Sequence, residues 1–258
     1  MGRAGSTQAI AALLLSSRRL GGGEPEVQQT RQGARLVQNG SVLSEILAQP
    51  GATDSVFDVL AASVRVFSPG DRVGILGFAG GGIIAPLRAM GGRHRLSGVD
   101  FDRAGYELFC DMSSEWQGDV QFTQTDAVEW LRAQHCKFDL LLEDLSVGRD
   151  GDVFKPDVSI DTLPQLIHSK LKPGGIAVFN LLPADDRTWT GMTAKVRAPF
   201  GFGVQVLFES YYNRVLVLGN EALLPAREVS RLLRSELDGV DSEMAVDISV
   251  RSLRLAKQ

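Results

Sequence analysis

Residues 72–91 read RVGILGFAGGGIIAPLRAMG. An apolar run long enough for one strand, VGILG at 73–77, breaks into small residues and then resumes with helical apolar spacing. Strand, glycine-rich turn and helix in that order open an α/β unit. Small residues at Gly77, Ala79 and Gly81 let the turn pass close beneath a bound group. The helix behind it is predicted from Gly82 to Met90, with Pro86 tolerable in its first turn.

Outward from that stretch the pattern is regular. Strand-like runs recur at 96–100 (LSGVD), 119–123 (DVQFT), 138–142 (FDLLL) and 175–181 (GIAVFNL), separated by helix-compatible segments or loops. Nearly continuous apolar strands alternating with helices predict a parallel sheet covered on both faces. The runs 203–208 and 213–218 are joined by a link too short for a crossover helix, so they must pair antiparallel at one edge. A last helix is predicted from Pro225 to Leu237. Upstream, Asn39-Gly40 lies between short alternating flanks and predicts a hairpin. Residues 54–67 predict a helix behind Asp54 as N-cap. The expected divisions are a leader at 1–33, hairpin and linker at 34–52, the main domain at 53–240 and a tail at 241–258.

With 258 residues, 44% of them hydrophobic and 22% charged, the chain can bury a full core. A net charge of −4 provides no basic face for a phosphate backbone, so no nucleic-acid partner is expected. No apolar run approaches the roughly 20 residues that span a bilayer. Cys110 and Cys136 fall in amphipathic segments and are expected as buried free thiols, which fits a reducing intracellular compartment. The first 25 residues hold Arg3, Arg18 and Arg19 with no acid before Glu24. That composition matches an organellar transit peptide or a frayed leader, and Met1-Gly2 with Ser6 also fits an acylation pattern. A cytoplasmic location and an organellar one both stand. His94, His135 and His168 have no ligand spacing, so no metal site is expected.

The glycine loop admits three guests. A nucleotide-triphosphate loop needs Lys and Ser or Thr after its second glycine, and Gly82 is followed by Ile83-Ile84. A dinucleotide fingerprint would register Gly77, Ala79 and Gly82, with Asp100 downstream for a ribose, but it has no use for the later segments TDA and LKPGG. A sulfonium nucleoside uses the same loop with different later contacts. Asp100, followed by Phe101, ends the second strand where a carboxylate can accept from a ribose diol; the other reading is a helix cap. Asp126, followed by Ala127, can accept from an adenine amino group or cap the next helix. Asp144, after the fourth strand, is a candidate base or a solvated strand-end carboxylate, with Glu143 expected to point the other way. Tyr211, Tyr212, Trp189 and Trp116 line a pocket or belong to the core and rim.

The glycine loop, VD, TDA, FDLLLED and LKPGGI together resemble the class I S-adenosylmethionine-dependent methyltransferase superfamily, polyamine aminopropyltransferase (spermidine synthase-like) branch. The likeness spans roughly residues 34–218. It implies a Rossmann-like α/β fold with a seven-stranded, mostly parallel sheet of order 3-2-1-4-5-7-6, the last strand antiparallel, and a homodimer. It implies S-adenosyl-L-methionine, or its decarboxylated form, held by Gly77, Ala79, Gly81, Asp100, Phe101, Asp126 and Ala127. The aspartate matching Asp144 deprotonates the attacking amine in that branch. The chain departs from the branch mainly where the amine is held: Gly80 and Val147 replace acids, Leu43 and Gln49 replace a Tyr and a His toward the amine, and Ser44 replaces a Gln toward the nucleoside. A polyamine must be desolvated against matched carboxylates, and that apparatus is missing. Methyl transfer to an unidentified acceptor, a small molecule or a protein, is the expectation. Aminopropyl transfer and a non-catalytic scaffold are the alternatives.

Overall fold

The Asn39-Gly40 pair turns as its type demands, with φ of 51° and 81°. It joins β2 (Gly33–Gln38) to β3 (Ser41–Leu47), and β1 (Glu26–Gln29) adds a third antiparallel strand beside β2. The computed structural model describes residues 25–149 and 152–253. The transit-peptide and acylation readings therefore lie outside the described residues. The small sheet starts at Glu26, inside the segment expected as leader.

Helix α1 (Val56–Phe67) follows, and its N-cap is Ser55 rather than Asp54. The Ser55 hydroxyl accepts from the Phe57 amide at 3.3 Å. Asp54 stands one residue earlier at φ 53° and accepts instead from the Glu243 amide at 2.9 Å. With Thr53, Asp54 and Ser55 adjacent, composition alone could not say which residue caps.

The main sheet is built from β4 (Arg72–Leu76), β5 (Arg95–Asp100), β6 (Val120–Gln124), β7 (Phe138–Glu143), β10 (Leu171–Leu181), β11 (Phe202–Phe208), β12 (Arg214–Gly219) and β13 (Ile248–Ser252). A two-stranded hairpin, β8 (Val147–Arg149) and β9 (Asp152–Phe154), stands apart from it. The order is β13-β11-β12-β10-β7-β4-β5-β6. Strands β10, β7, β4, β5 and β6 run parallel, and β12 is antiparallel to both β10 and β11. The expected seven-stranded order is present. One difference is the eighth strand, β13, which lies in the expected tail and pairs antiparallel with β11.

Side chains alternate between two cores, as the period of a strand requires. Val73, Ile75, Leu140, Leu142 and Val178 face a core shared with α1, α2 (Ile84–Ala89), α3 (Ala104–Ser113) and α8 (Ala226–Asp238). Leu76, Leu141, Ala177 and Phe179 face the other, closed by α4 (Ala127–Ala133), α5 (Asp157–Asp161), α6 (Leu163–Lys170) and α7 (Trp189–Arg197). Helix α2 is shorter at both ends than Gly82–Met90. The cysteines differ from expectation: Cys136 is exposed and Cys110 only partly buried, and both are free. Among the described residues no helix is long and apolar enough to cross a membrane.

A buried carboxylate ties the C-terminal segment to the domain. Asp58 accepts from the Thr53 amide at 2.8 Å and its hydroxyl at 2.7 Å, from the Asp54 amide at 2.9 Å and from the Ser242 hydroxyl at 2.6 Å. Ser242 leads into α9 (Met244–Asp247) and then β13. Asp58→Ala strands several donors at once and should cost about 3 kcal/mol in urea unfolding, with Asp58→Asn costing less. An Ala variant as stable as the parent would show that the cluster does not hold the segment.

Candidate active-site cleft

Strand order reverses between β4 and β7, and the carboxyl ends of β4, β5, β6 and β7 open into one cleft of about 1240 Å3. The glycine loop forms its floor. Gly77 has φ 86°, and a Cβ there would stand 2.7 Å from the Asp144 carbonyl oxygen, so only glycine lets β4 end so close to β7. Ala79 follows at φ 43° and Gly81 at φ 69°. Phe78 anchors the loop from below, edge-on to Tyr106, Phe109 and Phe122 at 5.5–5.6 Å between ring centres.

All eight residues singled out in the sequence line this cleft: Gly77, Ala79, Gly81, Asp100, Phe101, Asp126, Ala127 and Asp144. Asp100 accepts from the Ala79 amide through one oxygen at 2.8 Å and from the Asp102 amide through the other at 3.3 Å. It is not the helix cap: α3 has Arg103 at its N-cap position without a side-chain cap, and Asp102 just before it accepts from the Ala104 amide at 2.8 Å. An ionised carboxylate has about four acceptor positions, so Asp100 keeps acceptor capacity for a ribose hydroxyl. Burial pushes its carboxyl above the ordinary range, and the amides of Ala79, Asp102 and Phe101 partly offset this.

Asp126 is the N-cap of α4, with Oδ1 accepting from the Val128 amide at 2.8 Å and the Glu129 amide at 3.0 Å. Its second oxygen remains for a ligand. Phe101 is 57% exposed, a wide apolar face at the cleft mouth.

At the end of β7 the two acids part as strand alternation requires. Glu143 turns inward to a fully buried ion pair with Lys155 at 2.8 Å, and its other oxygen accepts from the Ser159 hydroxyl at 2.6 Å and the Leu145 amide at 3.1 Å. Asp144 turns to the cleft. Burial pushes its carboxyl up to about 6, against the nearby Lys155 ammonium and a 2.7 Å hydrogen bond from Asn180. Lys155, Ser159 and Asn180 were missed in the sequence. For Asn180 the signal was a polar residue inside the apolar run IAVFNLL.

The small sheet roofs the cleft with Leu36 and Leu43, which pack on Ala79 and Ala104. Asn39 donates to the Gly148 carbonyl at 3.1 Å, joining roof to β8. Ser44 is 1% exposed and lines the cleft with its hydroxyl unpartnered. A Cβ on Gly80 would meet Ile46 Cδ1 at 2.6 Å, so a larger residue there would require the Ile46 side chain to move. Gln49 is exposed and does not line the cleft, nor do Tyr211, Tyr212, Trp116 or Trp189. Trp116 instead donates to the Ala48 carbonyl at 2.9 Å, and Trp189 lies under Arg214 at 4.4 Å. Among the described residues no group of His, Cys, Asp and Glu is arranged to hold a metal.

No family model and no curated protein matches the sequence. Solved structures do match the fold. A probable spermidine synthase from Corynebacterium glutamicum aligns over 90% of this chain and 89% of its own, with a TM-score of 0.70 at 18% identity. Human methyltransferase-like protein 13, solved in complex with SAH, aligns over 72% of this chain and 90% of its own, with a TM-score of 0.55 at 16% identity. The Thermotoga maritima spermidine synthase aligns over 76% of this chain and 68% of its own, with a TM-score of 0.54 at 13% identity. The fold is that of the class I S-adenosylmethionine-dependent methyltransferases and spermidine synthases. On this methyltransferase fold the cleft occupies the strand-end crevice where open α/β sheets bind ligands.

The raised Asp144 carboxyl makes stability depend on pH. Between its ordinary 3.8 and about 6 the folded chain binds the proton more tightly than the unfolded chain, so stability falls as pH rises through that window. Asp144→Asn has no such loss. Urea unfolding near pH 4 and near pH 7 should show the variant gaining on the parent at the higher pH. An equal difference at both would contradict the buried, proton-retaining carboxyl.

Proposed function

We propose that this protein is an S-adenosylmethionine-dependent transferase that moves a methyl group to an acceptor held between Asp144 and the apolar roof. The observation that carries the reading is the lining of the cleft: Asp100, Asp102, Asp126 and Asp144, with no Lys, Arg or His among the described residues. Four carboxylates and no cation suit a sulfonium and disfavour a nucleotide phosphate, which attracts basic groups. Asp100 would hold the ribose diol, Asp126 Oδ2 the adenine edge, and Gly77, Ala79 and Gly81 would let the loop approach the nucleoside. When bound, S-adenosylmethionine would supply a methyl carbon whose bond to sulfur breaks as the acceptor's lone pair bonds to that carbon, leaving a neutral thioether.

Asp144 would orient the acceptor and take its proton, because attack needs a free lone pair. A carboxyl pushed up to about 6 is still mainly ionised at neutral pH and is a stronger base than an ordinary aspartate. Leu36, Leu43 and Val147, which line the same cleft, offer no second carboxylate for a diamine. Ile46 fills the space an acid at position 80 would need.

One observation favours aminopropyl transfer as a second reading: among the described residues no cationic side chain lines the cleft to meet the carboxylate of the amino-acid tail. Titration calorimetry with S-adenosylmethionine and its decarboxylated form separates the two. The methyl reading predicts binding of the first at least as tight as the second, loss of binding in Asp100→Ala, and retained binding without turnover in Asp144→Asn. A strong preference for the decarboxylated form would favour the second reading, and no heat from either would sink both.

A further inference from the structure

Asp144 does not stand alone at the end of β7. Its Oδ1 accepts from Asn180 Nδ2 at 2.7 Å, and Asn180 Oδ1 accepts from Asn213 Nδ2 at 2.9 Å. Asn180 is 3% exposed, in β10 between β7 and β12, and Asn213 immediately precedes β12. A buried amide so placed has both ends engaged, which fixes its orientation. Its donor end meets the carboxylate because its acceptor end is held by Asn213.

We propose that Asn180, oriented by Asn213, is a positioning residue that holds Asp144 Oδ1 as an acceptor and leaves Oδ2 turned to the cleft for the acceptor's proton. This rests on the proposed role of Asp144 as base. Reversing the Asn180 amide would set its oxygen against the carboxylate and its NH2 against another NH2, so the orientation disfavours a neutral Asp144 donating back to Asn180. The relay therefore selects the charged, proton-accepting form of a carboxyl that burial drives the other way.

Other charges reach Asp144 as well. Lys155, on the segment between β9 and α5, favours the anion, and Glu143, on β7, opposes it. Those two are locked to each other at 2.8 Å, so their opposing effects are fixed by packing. The Asn180 bond is the remaining support for the anion. Asp144 Oδ2 takes no hydrogen bond among the described residues, and the backbone is held separately by the Asp144 amide donating to the Leu76 carbonyl at 2.8 Å. Side-chain orientation and strand position are thus set by different bonds, and one can be removed while the other stays.

The test is 13C NMR titration of carboxyl-labelled aspartates, with the Asp144 signal assigned by its loss in Asp144→Asn. No substrate is needed. Asn180→Leu should raise the Asp144 pKa by about one unit and Asn213→Ala by less, since Asn180 stays but is free to turn. Asn213 is partly exposed, so the Ala variant carries the test if Asn180→Leu fails to fold. An unchanged pKa in the folded variants would overturn the positioning role. S-adenosylhomocysteine binding to the same samples is read separately, so failure of the cofactor reading is distinguishable from failure of the relay.

Discussion

The close approach of β4 to β7 at their carboxyl ends governs the rest of the site. A Cβ on Gly77 would press the Asp144 carbonyl oxygen at 2.7 Å, and the Asp144 amide donates to the Leu76 carbonyl at 2.8 Å. The Gly77 amide bonds in turn to the Val99 carbonyl at 3.0 Å, so the ends of β7, β4 and β5 are drawn together. That convergence brings Asp144 and Asp100 to one cleft although 44 residues separate them in sequence. Any side chain at position 77 would push β7 away and separate the two carboxylates.

The small β1–β3 sheet sets what the cleft can hold. Its Ile46 lies on Gly80, and Leu36 and Leu43 pack over Ala79 and Ala104. The same packing places Ile46 where an acid at position 80 would extend. Desolvating a polycation without matched anions is unfavourable by several kcal/mol.

Most of the sheet was legible in sequence because strand periodicity is local. VGILG, FDLLL and GIAVFNL alternate between two cores, and Asn39-Gly40 can adopt the positive φ its turn requires. The direction of Glu143 followed from the same alternation. Three features were not legible. Strand β13, ISVRS, is half polar and exists because β11 offers it an edge, a pairing that sets Val250 opposite Val206, 44 residues distant, and that no local pattern carries. The cap of α1 was ambiguous because adjacent Asp54 and Ser55 both suit it, and tertiary bonding to Glu243 drew Asp54 away. The Asn213–Asn180–Asp144 chain joins residues from three segments, and only the polar interruption at Asn180 hinted at it.

The central claim is that the cleft seats a sulfonium nucleoside between Asp100 and Asp144. A crystal structure of the protein grown with S-adenosylhomocysteine tests it most directly. The account predicts ribose hydroxyls on the Asp100 carboxylate, adenine beside Asp126 and sulfur turned toward Asp144. Density for the ligand elsewhere, or a nucleoside in the cleft with its ribose away from Asp100, would contradict it.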